Sequence, residues 1–191
     1  MKKIIVIDNF DSFTYNLYYL LQQHYWGEVE VKRNNAICVA EIENYEAIVI
    51  SPGAGTPANS GVTMRILAEY HDKKPILGVC LGMQCINEYF GGVTIKAPFP
   101  VHGKQVEVFT LGESQIMNNL TPPIMVARYH SLIISEVDQI LRVTAETSDK
   151  LPMVIEHQHL PIYGIQFHPE SFLTEQGDLM IKNFLSILEQ R

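Results

Sequence analysis

Short, uninterrupted apolar runs separated by amphipathic stretches set the pattern of the first half of the chain. Ile4-Ile5-Val6-Ile7 is apolar without alternation and ends at Asp8, which predicts a strand over Lys3–Asp8 covered on both faces. Phe13, Leu17, Leu20 and Leu21 recur at helical spacing, with Asp11 or Ser12 as the expected cap. Glu28–Arg33 and Ala47–Ser51 read as the second and third strands, and Gly61–Tyr70 as a helix. Pro75–Cys80 reads as a fourth strand, and Leu81–Phe90 as a helix stopped by Gly91-Gly92. Strand and helix alternate, so this half predicts βαβ units and a parallel sheet.

After Gly92 the pattern shifts to short β-rich segments: His102–Thr110, Ile124–Ile134, Arg142–Thr147, Met153–His157 and Ile162–Phe167. An amphipathic helix near Asp178–Leu188 follows. The expected fold class is α/β, a mostly parallel twisted sheet flanked by helices with an antiparallel β-rich C-terminal part. A single domain over residues 1–191 is expected.

Composition narrows the function classes. A formal net charge of −7 gives no electrostatic footprint for nucleic acid or an anionic membrane, so neither is an expected partner. No apolar segment approaches the ~20 residues that span a bilayer. The apolar run at the N-terminus is too short for a signal peptide and ends in an acid. Cys38, Cys80 and Cys85 are odd in number and lack C-x-x-C spacing, which fits reduced thiols in a cytoplasmic protein better than disulfides or structural zinc.

The candidate chemistry begins at Gly78-Val79-Cys80-Leu81-Gly82, where a buried strand turns into a helix. That places a cysteine at a nucleophile elbow. A thiol there meets the unpaired N–H groups and dipole of a helix N-terminus, which favour a thiolate. Taken alone, the motif reads more readily as a small buried cysteine in an ordinary strand-to-helix turn. A cysteine nucleophile needs a base and a group that orients the base. Gly164-Ile165-Gln166-Phe167-His168-Pro169-Glu170 offers both: Pro169 biases His168 away from helix, and in extended backbone His168 and Glu170 share a face. The loop Ser51-Pro52-Gly53-Ala54-Gly55-Thr56-Pro57 follows the third strand. Its small residues let backbone amides approach a ligand as an oxyanion hole requires, with the Leu81 amide as a second donor.

In this order and at these strand ends, the three segments resemble the class I glutamine amidotransferase family over essentially the whole chain. The resemblance implies a glutaminase in which Cys80 attacks the side-chain amide of L-glutamine, assisted by His168 and Glu170. Ammonia leaves, and water releases glutamate from a thioester. It also implies that Gln84, the backbone of Ser131 and Leu132, and the Gly53–Gly55 loop bind glutamine.

Ile7-Asp8-Asn9-Phe10-Asp11-Ser12-Phe13-Thr14, Arg128-Tyr129-His130-Ser131-Leu132 and His168-Pro169-Glu170-Ser171 resemble the branch serving anthranilate synthase and aminodeoxychorismate synthase as component II. Met83, where that branch commonly has His, and Ala54, where it has Pro, depart from its pattern. The branch implies a separate chorismate-binding synthase subunit that receives the ammonia and carries Mg²⁺, with no cofactor in this chain. The competing readings are a stand-alone cysteine hydrolase or peptidase of related fold, the glutaminase subunit of another amidotransferase, and a silent binding subunit.

Other residues attract less weight. Glu156-His157-Gln158-His159 lacks a clear third metal ligand, so no metal is assigned. His102, Tyr18, Tyr19 and Tyr25 read as packing or partner contacts. Cys85, five positions past Cys80 on a helix, points elsewhere and reads as core.

Overall fold

A computed structural model describes residues 2–97, 100 and 103–189; His102 lies outside the described residues. The first half builds the βαβ series: β1 (Lys3–Asn9), α1 (Thr14–His24), β2 (Glu28–Arg33), β3 (Ala47–Gly53), α2 (Thr63–Tyr70), β4 (Ile76–Val79) and α3 (Leu81–Tyr89). The second half adds β5 (Val93–Lys96), β6 (Lys104–Thr110), β7 (Ile124–Arg128), β8 (Leu132–Glu136), β9 (Leu141–Thr147), β10 (Pro152–His157), β11 (Ile162–Ile165) and α4 (Gly177–Glu189).

Nine strands form one sheet in the order β2-β1-β3-β4-β11-β10-β9-β6-β7, and β5 pairs with β8 in a small second sheet. β2, β1, β3, β4 and β11 run parallel, while the pairs β11–β10, β10–β9, β9–β6 and β6–β7 are antiparallel. The expected α/β class, mostly parallel with an antiparallel extension, is what the chain adopts.

The apolar runs are continuous because the parallel strands are covered twice. Ile4 and Val6 pack with Leu17 and Leu21 of α1 and Met180 and Phe184 of α4. Ile5 and Ile7 pack on the opposite face with Ile66 and Leu67 of α2 and Ile86 of α3. All four β1 side chains are fully buried, each worth roughly 1.5–3 kcal/mol of transfer free energy.

Two local expectations change. Neither Asp11 nor Ser12 caps α1: the residue before the helix is Phe13, without a side-chain cap, and Asp8 does the anchoring instead. Its Oδ1 accepts from the Phe10 and Asp11 amides and from the Thr14 hydroxyl, and Asp11 Oδ1 accepts from the Phe13 amide. Ile124–Ile134 is not one strand but β7 and β8, in different sheets, broken at Tyr129-His130-Ser131. β5, which lies outside the segments expected to be strands, is a strand because β8 supplies its partner.

Candidate active site

Cys80 sits between the C-terminal end of β4 and the first residue of α3, with φ +52° and ψ −103°. Such a backbone is unfavourable for a side chain bearing Cβ and persists only where the surroundings over-determine it. Here they do. A Cβ on Gly78 would lie 2.4 Å from the carbonyl carbon of Gly82, and one on Gly82 would lie 2.4 Å from the Ile50 carbonyl oxygen. The two glycines of G-V-C-L-G therefore let strand, elbow and helix close on one another and on β3. The Cys80 amide donates to the Ile165 carbonyl at 2.7 Å, fixing the elbow to β11.

Topology rather than sequence proximity delivers the partner. β11 inserts beside β4 in parallel register, Val79 opposite Ile165, so the segment after β11 emerges level with Cys80. His168 and Glu170 do share a side, but through a tight turn rather than extended backbone: the Ser171 amide donates to the His168 carbonyl at 3.2 Å, with Pro169 and Glu170 central. His168 Nδ1 lies 2.7 Å from Glu170 Oε1, both side chains being almost fully buried. The Thr174 hydroxyl holds the His168 carbonyl at 2.6 Å, and Phe13 and Tyr129 present ring edges to the imidazole at 5.3 and 5.1 Å between centroids.

Burial opposes charge on this imidazole, but the Cys80 thiol and Glu170 outweigh it and raise His168 to about 10. Among the described residues Nε2 makes no hydrogen bond, and the Cys80 thiol is the neighbour on that side that favours its charged form. His168 is therefore charged at neutral pH, its Nδ1–H directed to Glu170. By contrast, burial pushes Cys85 up to about 12 and leaves it an inert core thiol.

In front of Cys80 lies a cavity of about 280 Å³ lined by Asp11, Gly53, Ala54, Gly55, Cys80, Gln84, Tyr129, His130, Ser131 and Leu132. Seven of these are residues singled out from the sequence. An eighth, Leu81, sits just beneath the loop: a Cβ on Gly53 would come within 2.9 Å of Leu81 Cδ2 and 2.5 Å of Asn9 Cβ. Asn9 anchors the loop, its amide donating to Ser51 Oγ at 2.9 Å and its side chain to the Ser51 carbonyl at 3.0 Å. Ala54 is exposed on the rim, while Met83 is fully buried among core side chains.

The far wall is held by a relay. Arg128 Nε donates to His130 Nε2 at 3.0 Å, which leaves the proton on Nδ1, and that nitrogen donates to the Leu132 carbonyl at 2.8 Å. Gln84 Nε2 donates to the same carbonyl at 3.3 Å. The break between β7 and β8 is thus the mould of the Ser131–Leu132 wall.

Sequence reading passed over Gln166, although strand register could have found it. It is fully buried next to the elbow, and its Nε2 is 3.7 Å from Cys80 Sγ. Asp11, expected as a helix cap, lines the cavity. The Glu156–His159 segment has structural work. Glu156 accepts from the Ser114 hydroxyl and the Gln115 and Ile116 amides, and His157 Nδ1 accepts from the His159 and Leu160 amides. No group of three metal-ligating side chains occurs among the described residues, and no described helix is long and apolar enough to cross a membrane.

Residues 5–188 match the family described as glutamine amidotransferase class I. The anthranilate synthase component 2 of Cyanophora paradoxa is 46% identical over 191 residues, covering 97% of this chain and 99% of that protein. The chloroplastic anthranilate synthase beta subunit 1 of Arabidopsis thaliana is 43% identical over 201 residues, 98% of this chain and 71% of that one. The bifunctional protein TrpGD of Thermotoga maritima is 42% identical over 192 residues, and there this chain spans 98% of its own length but 32% of the relative's. Among solved structures, a Thermoplasma acidophilum protein provisionally assigned to GMP synthase superposes with a TM-score of 0.89 at 27% identity, covering 100% of this chain and 95% of that one. The match over nearly all of both lengths to a component 2 protein, together with the family profile, places this chain in the class I glutamine amidotransferase family, among the anthranilate synthase component 2 proteins.

Proposed function

We propose that the chain is the glutaminase subunit of an anthranilate synthase, hydrolysing L-glutamine and passing ammonia to a separate chorismate-binding subunit, which holds the Mg²⁺. The observation that carries this reading is the cavity floored by Cys80, backed by the Glu170–His168 pair and walled by Gly53–Gly55, Gln84 and Ser131–Leu132.

In this mechanism Cys80 Sγ attacks the side-chain carbonyl carbon of glutamine, and the carbonyl π pair moves to oxygen. The Leu81 amide, at a helix start where N–H groups lack intrahelical partners, and amides of the Gly53–Gly55 loop receive that oxyanion. His168 gives its Nε2 proton to the leaving nitrogen as the C–N bond breaks, so ammonia departs and a thioester remains. Neutral His168 then takes a proton from water, which attacks the thioester; the C–S pair returns to sulfur and glutamate leaves. Glu170 keeps the proton on Nδ1 throughout and steadies the imidazolium. The proton that Cys80 gives up on becoming the nucleophile is the one that His168 Nε2 carries to the leaving nitrogen.

The test uses the chain together with its partner purified from the native source. Cys80→Ala is expected to abolish glutamine-dependent synthesis from chorismate while ammonia-dependent synthesis by the partner persists. Loss of both in a folded, partner-bound variant overturns the division of labour. The product identifies the branch: anthranilate agrees with the proposal, whereas 4-amino-4-deoxychorismate alone moves the chain to the sister synthase.

A further inference from the structure

Gln166 is fully buried, immediately after β11, and its side-chain amide has a defined orientation. Oε1 accepts from Gln84 Nε2 at 3.2 Å, so Nε2 faces the Cys80 sulfur at 3.7 Å. Gln84 Nε2 also donates to the Leu132 carbonyl at 3.3 Å, which commits both of its hydrogens. The chain Leu132 to Gln84 to Gln166 to Cys80 therefore runs from the cavity wall to the sulfur, and reversing the Gln166 amide would set donor against donor at Gln84.

A buried primary amide costs free energy unless its hydrogen bonds are made, and an apolar side chain would fill this site more cheaply. An amide donating to a neutral thiol gains little, because thiol sulfur is a weak acceptor. The same amide donating to a thiolate makes a charge-assisted bond, roughly twice as strong as a neutral one. The placement makes sense for a sulfur that carries charge.

Building on the glutaminase reading, we propose that Gln166 is a further catalytic residue: its Nε2–H donates to the Cys80 sulfur and stabilises the thiolate, both before attack and when the thioester breaks. As the S–C bond forms, the sulfur's charge passes to the amide oxygen of the substrate and the N–H to S bond weakens. As that bond breaks, the electron pair returns to sulfur and the hydrogen bond is restored. The amide proton is never transferred. Gln84 and Leu132, which also line the cavity, tie this donor to the substrate wall.

The experiment reads the sulfur directly, without glutamine. Alkylation by iodoacetamide is followed against pH in the full chain, with peptide mass analysis separating Cys80 from Cys38 and Cys85. The titratable groups around the sulfur are His168 with Glu170 behind it, and Asp11, Tyr129 and His130 of the cavity wall, so a His168→Ala profile is run alongside.

In Gln166→Leu, and in Gln166→Met as a second variant of similar length, the pH of half-maximal rate is expected to rise by about one unit. The rate at neutral pH falls about three- to fourfold, the tenfold loss of thiolate being partly offset by its greater reactivity. The plateau at high pH rises roughly 2.5- to 3-fold, because a less stabilised thiolate is the stronger nucleophile. The variant and wild-type profiles therefore cross. A purely structural role for Gln166 gives no crossing, only an unchanged or uniformly lowered profile, and either result overturns the proposal. In the wild type, the NMR resonances of the Gln166 side-chain amide should shift through the same pH range as the alkylation rate, and resonances flat through it overturn the proposal without any variant having to fold. Crossing profiles in a chain that releases no ammonia from glutamine would sink the glutaminase reading and leave Gln166 at the sulfur.

Discussion

Cys80 has φ +52° and ψ −103°, and this strain has a measurable signature in the pair Cys80→Ala and Cys80→Gly. Both variants delete the thiol, so their difference isolates the backbone. At an ordinary buried site, glycine is less stable than alanine by about 0.8 kcal/mol for the lost methyl and by a further ~0.4–1 kcal/mol for the extra freedom of the unfolded chain, in all about 1–2 kcal/mol. At this elbow a Cβ-bearing residue carries roughly 1–3 kcal/mol of strain that glycine relieves. From the middle of each range, Cys80→Gly is therefore expected to exceed Cys80→Ala by about 0.5 kcal/mol. For a chain of this length that corresponds to a melting temperature higher by roughly 1–2 °C. Urea denaturation monitored by circular dichroism, with the same slope for both variants, measures the difference. If glycine is the less stable by the full 1–2 kcal/mol, the elbow is unstrained and the argument from its backbone fails.

Two further outcomes follow from the same geometry. Gly53→Ala would place a methyl 2.5 Å from Asn9 Cβ and 2.7 Å from its carbonyl oxygen, so a loss of about 1–3 kcal/mol and a fall in glutamine hydrolysis of at least tenfold are expected; wild-type stability and turnover in that variant would contradict the fit of loop to strand. His168 is raised from its ordinary 6.5 to about 10, so the stability it contributes is complete below about pH 6.5 and is lost as pH rises through about 10. The advantage of wild type over His168→Ala in denaturant titrations should shrink across that window, by on the order of 3–5 kcal/mol at most, and an advantage that grows with pH would reverse the assignment.

Much of this architecture is legible in the chain because its causes are local. β1, β3 and β4 announce themselves as short apolar runs, since strands covered on both faces have no polar positions to alternate. The elbow is legible because only glycine fits where Gly78 meets Gly82 and Gly82 meets Ile50. What escapes reading depends on partners distant in sequence. Gln166 lies 86 residues from Cys80 and reaches the sulfur only because β11 adds beside β4 in one particular register. Asp11 looks like a helix cap until Asp8 is seen to anchor the turn. Ile124–Ile134 is apolar enough for one strand, and its break shows only when His130, held by Arg128, and Gln84 converge on the Leu132 carbonyl.

The central claim is that Cys80 becomes acylated by glutamine. The most direct measurement mixes the chain, bound to its partner, with glutamine, quenches in acid within the first turnovers, and locates adducts by peptide mass analysis. A γ-glutamyl group on the Cys80 peptide is expected, absent from Cys38 and Cys85 and absent altogether in Cys80→Ala. Glutamine hydrolysis that continues in Cys80→Ala, or an adduct confined to another residue, would contradict a thioester mechanism at this elbow.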